Sequence, residues 1–143
     1  MARRYATPEG REQLKANAAK WRKSDAGKEA IASAGKARRA SDPIASMLKS
    51  VQARATKEGL TFQLELAQVR ELVAPMVCSM TGHALNWDWA GLGKNPWAPS
   101  LDRIEPSEGY IHSNVRLVCW AYNLARSNWP DAVVREMAKG LLR

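Results

Sequence analysis

The stretch "PSLDRIEPSEGYIHSNVRLVCWAYNLARSNW", residues 99–129, decides the fold of this chain. Its segments SLDRIE and NVRLVC have the composition and alternation of strands, and the segment between them contains the proline and glycine of a turn. From Trp120 the pattern becomes helical, and the spacing of Cys119, Asn123 and Arg126 puts these three residues on one helix face. The stretch therefore predicts a β-hairpin followed directly by a helix.

Polar side chains crowd this predicted hairpin and helix. If the helix packs across the hairpin, Asn123 can approach Asp102, and two oxygen ligands then converge as a magnesium ion with several retained waters prefers. In the second strand, Asn114 and Arg116 are expected on the face opposite the apolar residues. The alternative interpretation is a structural hairpin whose Asn and Asp residues only cap turns, as they commonly do.

The preceding sequence predicts two helices, a short strand between them and a loop. Residues 41–59 begin with Ser-Asp-Pro and end with Gly, which are helix start and stop signals. Residues 60–64 alternate and predict a short strand, residues 65–73 predict a second helix, and the Gly- and Pro-containing segment 86–99 predicts a loop. The tryptophans of this loop could stack on bases but more often such residues pack over a small core: Trp87, Trp89 and Trp97.

The positive charge is concentrated at the N-terminus. The 143-residue chain has a net charge of +8, and residues 1–40 hold 11 Lys and Arg against 4 Asp and Glu, a net +7. This basic arm is rich in helix formers, with Thr7 and Pro8 as a helix start, and it indicates nucleic acid as partner, with a solubilising tail as the alternative. Residues 41–143 form the near-neutral second domain. The expected DNA-contacting residues of the arm are Lys20, Arg22, Lys23, Arg38 and Arg39.

No run of about 18 apolar residues and no signal peptide is present, so we expect no membrane partner and a location in the cytoplasm, or the host cytoplasm if the protein is viral. The oligomeric state is open. Two cysteines, Cys78 and Cys119, are expected as reduced buried thiols. A Cys2His2 zinc site that includes His83 and His112 is conceivable, but the spacing fits no zinc-finger pattern, and we expect no zinc.

Residues 99–128 resemble the ββα-metal core of HNH (His-Me finger) endonucleases, especially small bacteriophage-type members with a D-R-I … N … N variant of the motif. The segment "PSLDRIEPSEGYIHSNVRLVCWAYNLARS" follows the pattern S-x-D-R-I … G-Y … N-V … C-x-x-x-N-x-x-[KR]. The wider span 43–128 is similar to this family as well, since "CSMTGHAL" is like its C-x-x-T-G turn.

The resemblance implies a role for each motif residue. Asp102 and Asn123 are implied as ligands of a Mg²⁺ or Mn²⁺ ion, Asn114 as the residue that braces the hairpin, and Arg126 as a phosphate contact. Arg116 is expected to contact DNA beside it. Arg103 stands at the position of the histidine that is the usual general base.

Arg103 cannot be that base, because a guanidinium stays protonated in proteins. It can instead stabilise negative charge on a phosphate in the transition state. The base is then expected to be His83, His112 or a metal-bound hydroxide.

These observations predict an α+β fold: a ββα-metal hairpin-helix core, preceding helices and a basic helical N-terminal arm. The expected function is hydrolysis of phosphodiester bonds in DNA by a metal-dependent endonuclease. The alternative is a non-catalytic DNA-binding or phage assembly protein that retains the HNH fold. A basic RNA-binding protein ranks last, because no RNA-binding motif is present.

Overall fold

The computed structural model describes residues 7–88 and 90–142, with the side chain of Arg38 left aside. The chain divides into two compact units, Met1–Asp42 and Pro43–Arg143.

The first unit contains two helices, α1 (Pro8–Lys23) and α2 (Asp25–Ser41). The side chain of Thr7 caps α1 by accepting a hydrogen bond from the Gly10 N–H at 3.1 Å, as the Thr-Pro pair predicts. The arm is thus helical in two pieces. At the junction Gly27 packs so closely on the carbonyl of Trp21 that a Cβ atom would collide with it. No residue of α1 is buried.

The second unit begins with α3 (Pro43–Glu58), and α4 (Leu66–Val73) follows after a short connection. Helix α3 ends where Gly59 takes a left-handed conformation with φ of 68°, as the sequence predicts. The apolar residues that recur at helical spacing in α3 do face the core: Val51 and Ala55 are buried, and Ile44, Met47 and Leu48 pack against the core.

The strand expected over residues 60–64 does not form. Phe62 makes only a single isolated parallel bridge to Tyr110, and α4 begins two residues after the segment. The prediction was wrong because alternation identifies an extended segment but not whether a neighbouring strand runs alongside it. Two main-chain hydrogen bonds nevertheless attach the segment to the hairpin turn: Tyr110 N–H donates to Thr61 at 2.8 Å, and Gln63 N–H donates to Tyr110 at 2.9 Å.

The hairpin forms as predicted. It contains β1 (Pro99–Arg103) and β2 (Val115–Cys119), which are antiparallel and pair Leu101 with Leu117 and Asp102 with Arg116. Helix α5 (Trp120–Arg126) follows β2 directly and contacts both strands. The described residues between α4 and β1 form a loop that contains one isolated bridge. The sequence predicts a loop for the second half of this segment, from residue 86 onward.

The core lies where the hairpin, α5 and the faces of α3 and α4 meet. Its largest fully buried side chains come from α4, from both strands of the hairpin and from the loop before β1: Val69, Val73, Cys78, Leu101, Val118 and Cys119. The molecule is therefore α+β, as predicted. No helix in the described part of the chain is long and apolar enough to cross a membrane.

The sequence analysis did not predict the last helix, α6 (Asp131–Leu141). It has no buried residue, although Val134 packs against the core. Its first residue, Asp131, is nevertheless central to the site described next.

Candidate active site

A cleft of about 400 Å³ opens where the end of β1 meets α5 and the last turns of α3. Both strand and helix contribute polar side chains to its wall, so residues far apart in sequence are brought together. The wall includes six charged or amide side chains: Arg54, Glu58, Asp102, Arg103, Asn123 and Arg126.

Asp102 is buried in the wall of this cleft, with 3% of its surface exposed. Its Oδ1 accepts a hydrogen bond from Arg126 Nη1 at 2.8 Å, and its Oδ2 is 2.8 Å from Arg116 Nε and 2.7 Å from Arg116 Nη2. Arg116 reaches Asp102 because the two residues are direct partners across the hairpin. Two guanidinium groups therefore compensate the charge of this carboxylate.

Asp131 completes the arrangement, and sequence reasoning missed it. It accepts from Arg116 at 2.7 and 2.6 Å, from Arg126 Nε at 2.9 Å and from the Tyr122 hydroxyl at 2.8 Å. Asp102, Arg116, Arg126 and Asp131 thus form a group of two carboxylates and two guanidiniums, which we call the charge cluster. The sequence signal was the Pro-Asp pair at 130–131, which is a helix start.

Burial and the contacts made in and beside the charge cluster shift the pKa values of Asp131, Arg116 and the neighbouring Tyr122. Hydrogen bonds from Arg116 hold the pKa of Asp131 well below its usual range. The hydrogen bonds from Arg116 to Asp131 raise the pKa of that guanidinium further above its ordinary value. Burial, together with the nearby Asp131 carboxylate, raises the pKa of Tyr122 to about 12. Asp131 and Arg116 are therefore both ionised at neutral pH.

Arg126, expected to contact a phosphate, is used inside the protein. It is only 2% exposed and donates to both carboxylates of the charge cluster. It also donates to the carbonyls of Arg103 and Ile104, both at 2.8 Å. These bonds tie the end of β1 to α5. A phosphate contact by Arg126, which stays a prediction, requires some of them to be exchanged.

Asn123 projects from α5 onto β1. Its Nδ2 donates to Ser100 Oγ at 2.7 Å and to the Leu101 carbonyl at 3.2 Å. The side-chain oxygen Oδ1 has no hydrogen-bond partner in the described part of the chain. Because both N–H groups are held by β1, Oδ1 is the oriented and available acceptor of this side chain.

Arg103 is held more loosely than the arginines of the charge cluster. Its Nη2 lies 3.8 Å from Glu58 Oε2, its Nη1 donates to the Glu108 carbonyl at 3.4 Å, and its guanidinium lies 5.2 Å from the centre of the Tyr110 ring. The ion pair and the hydrogen bond are both longer than charge-assisted bonds of about 2.7–2.9 Å. Although strand neighbours point to opposite faces, Asp102 and Arg103 both line the cleft.

Asn114 joins the two ends of the hairpin turn. Its buried side chain accepts from Glu105 N–H at 2.9 Å and donates to the carbonyls of Glu105 and Gly109 at 3.0 and 2.9 Å. It is not among the described residues that line the cleft. Its position is that of a brace for the turn.

Neither histidine is among the described residues that line the cleft. His83 is exposed, and its ring lies 4.8 Å from the ring of Trp97. His112 is exposed in the 3₁₀ turn before β2. A general-base role for either residue stays a prediction that this location does not favour.

The thiols of Cys78 and Cys119 are free, buried and close enough to influence each other's ionisation. Burial raises the pKa of Cys119, whereas for Cys78 the effect of burial is outweighed by hydrogen bonds with Thr81 and nearby backbone groups, which lower its pKa. In the described part of the chain no three His, Cys, Asp or Glu side chains are grouped to hold a metal ion. The expectation of no zinc stays a prediction.

The cations expected to bind DNA differ in location. Lys20, Arg22 and Lys23 are exposed in the last turn of α1, and Arg39 is exposed in α2. Arg116 belongs to the charge cluster. Two of the loop tryptophans are partly buried against the core, which favours packing over base stacking. These are Trp87 and Trp97. The side chain of Arg38 and the whole of Trp89 lie outside the part of the chain that is described.

The residues of the cleft fit a divalent cation only with help from other oxygens. Asn123 Oδ1 is available, and Oδ1 of Asp102 accepts one bond, which leaves it capacity for a second interaction. Mg²⁺ commonly binds through one or two carboxylates together with water and substrate phosphates. Since the charge cluster is already neutral, the negative charge that such an ion needs must come from a phosphate.

Comparisons of this chain with protein-family models, with curated proteins and with solved structures found no match.

Proposed function

We propose that this protein is a metal-dependent endonuclease that hydrolyses phosphodiester bonds in DNA. The observation that carries the proposal is the meeting of Asp102, Arg103 and Asn123 in one cleft, at the junction of a β-hairpin and the helix that follows it. A metal-ligating oxygen from the strand, another from the helix and the guanidinium of Arg103 can together bind a cation and stabilise charge on a phosphate, as phosphodiester hydrolysis needs.

Asp102 Oδ1 and Asn123 Oδ1 would hold Mg²⁺ or Mn²⁺. When bound, this ion would stabilise negative charge on the phosphate and the leaving oxygen. The bonds from Asn123 to Ser100 and Leu101 fix the direction of the amide, so this ligand is oriented before DNA arrives.

Arg103 would bind a non-bridging oxygen of the scissile phosphate. Its two present contacts, at 3.8 and 3.4 Å, are weak and are readily exchanged for bonds to a phosphate. Arg54, which is exposed and also lines the cleft, would bind the DNA backbone beside it.

The exposed cations of α1 and α2 would add affinity that is independent of sequence and sensitive to salt. Three of these cations are close in sequence at the end of α1: Lys20, Arg22 and Lys23. There they also interact favourably with the negative end of the helix dipole.

A second candidate function is a non-catalytic DNA-binding or phage assembly protein with the same fold. The specific observation in its favour is the double ion pair of Asp102, because two arginines at 2.7–2.8 Å compete with a cation for that carboxylate.

A plasmid-nicking assay separates the two functions. Wild-type protein should convert supercoiled plasmid to the open-circular form with Mg²⁺ or Mn²⁺ and not with EDTA. Asn123→Ala should abolish nicking and preserve DNA binding, whereas the control Asn128→Ala, an exposed asparagine of the same cleft, should nick normally. DNA binding without nicking by the wild type, with either metal, would favour the non-catalytic function.

A further inference from the structure

The proposed hydrolysis needs a group that takes a proton from the attacking water. Arg103 stands where the resembling nucleases have their base and cannot accept a proton. Two carboxylates are present in the described wall of the cleft, Asp102 and Glu58. Asp102 is held by two guanidiniums and is a candidate ligand, so Glu58 is the carboxylate with capacity to spare.

Glu58 is the final residue of α3, and its side chain is 45% exposed. Its one ion pair, with Arg103, is 3.8 Å long, well beyond a charge-assisted hydrogen bond. The carboxylate therefore lies at the cleft with most of its acceptor capacity directed to solvent. A water molecule between Glu58 and a phosphate on Arg103 would be within reach of both.

The position of Glu58 relative to the hairpin is fixed by the backbone. The chain after α3 is bonded to Tyr110 through Thr61 and Gln63, at 2.8 and 2.9 Å. Gly109 lies against the main chain of Thr61 with no room for a Cβ atom. The end of α3 and the strand that bears Arg103 thus form one continuous framework.

We propose that Glu58 is the general base of this site, an inference that rests on the proposed endonuclease function. Glu58 takes a proton from water as the water oxygen forms its bond to phosphorus. The bond from phosphorus to the leaving oxygen breaks, the electron pair goes to that oxygen, and solvent protonates it. Atoms and charge balance, and Glu58 returns its proton to solvent.

Arg103 has a second part in this scheme. In the free protein it holds the Glu58 carboxylate at the cleft through their ion pair. When a phosphate binds to Arg103, the carboxylate is freed towards the attacking water. The positions of the base and the stabilising cation are therefore linked.

The test is the isosteric variant Glu58→Gln, assayed for nicking of supercoiled plasmid and, separately, for affinity to a fluorescent DNA duplex. Nicking should slow by about 10²–10⁴-fold, the usual contribution of a general base. DNA affinity should stay equal or rise slightly, since a negative charge is removed. The control Glu71→Gln, an exposed glutamate of α4, should nick at the wild-type rate.

Two further readouts distinguish proton transfer from a structural role. The nicking rate of the wild type should fall toward acid pH, and Glu58→Gln should lose that dependence. Glu58→Ala should regain part of its activity with added acetate or formate, which supply a carboxylate to the vacated space.

The outcomes are separable. Wild-type nicking together with an equal rate in Glu58→Gln would overturn the role of Glu58 and leave the endonuclease intact. A slow Glu58→Gln that has also lost DNA affinity, with no rescue of Glu58→Ala, would overturn it as well. A wild type that fails to nick with Mg²⁺ and Mn²⁺ would overturn both proposals.

Discussion

The two arginines that lie on either side of the end of β1 differ in the strength of their contacts. On one side, Arg126 is buried and donates to two carboxylates and two carbonyls at 2.8–2.9 Å. On the other, Arg103 has an ion pair of 3.8 Å and a hydrogen bond of 3.4 Å. A saturated guanidinium contributes to folding and offers little to a ligand, whereas a loosely held one contributes little to folding and can bind a phosphate.

The largest expected effect is on stability. Arg126→Ala should lower the free energy of unfolding by about 3–5 kcal/mol, because it leaves buried Asp102 with one partner fewer and two carbonyls unpaired. Arg103→Ala should cost less, about 1 kcal/mol, because the ion pair and the hydrogen bond of its 13% exposed side chain are both long. Urea unfolding followed by circular dichroism measures both, and equal losses in the two variants would refute the contrast between the arginines.

For the nicking rate the order of the two arginines should be reversed, with Arg103 the more important one. Arg103→Ala should slow nicking by about 10²–10³-fold, the usual loss for one donor to a transition-state charge. Arg70→Ala, which removes the same charge from α4, should leave the rate unchanged. Arg103→His should hold or raise the rate, with a new pH dependence near the ordinary imidazole pKa of about 6.5.

A normal nicking rate in Arg103→Ala would remove this residue from the chemistry. If wild type does not cut with any divalent ion but Arg103→His does, the protein is a DNA-binding relative that lacks a base.

The charge cluster should also be visible in the pH dependence of stability. The pKa of Asp131 is depressed in the folded state, so its contribution is fully present above the unfolded value of about 3.9 and is lost as pH falls through the folded value. The free energy of unfolding should therefore decline below about pH 5. In Asp131→Asn this acid decline should be smaller by on the order of 1 kcal/mol, and curves of the same slope would show that Asp131 is not the group responsible.

The smallest expected effect is on the salt dependence of DNA affinity, and it concerns the basic arm and not the two arginines at the end of β1. Replacing Lys20, Arg22 and Lys23 by Gln should reduce the slope of log affinity against log salt by up to about 2.7, since each neutralised phosphate accounts for about 0.9 of that slope. The control removes the same charge from the second unit, at Lys49, Lys57 and Lys139. If both triple variants change the slope equally, net charge matters and the location in α1 does not.

Local patterns predicted most of the elements. Several predicted features depend only on neighbours in sequence, and all of them are observed. They are the Thr7 cap, the Pro43 start and Gly59 end of α3, the hairpin, and the start of α5 at Trp120. The prediction of a strand over residues 60–64 was wrong because strand pairing depends on a distant partner.

The candidate site was predictable in part, for the same reason. Asp102, Arg103 and Asn123 carry a motif, and the structure brings them into one cleft. Asp131 and Glu58 carry none, because their significance comes from contacts made across the fold. Glu58 and Arg54 do stand one helical turn apart on α3, but that spacing alone describes any solvated face.

Asp102 and Arg116 face each other across the hairpin, and this pairing has a consequence for how the strands align during folding. A shift of one residue between β1 and β2 would turn every side chain of one strand to the opposite face. Arg116 would then point away from both carboxylates and lose both of its ion pairs, and Asp102 and Asp131 would keep only Arg126 as a charged partner. Misaligned hairpins would thus be penalised by several charges at once, so these ion pairs add to the buried apolar contacts in selecting one alignment of the two five-residue strands.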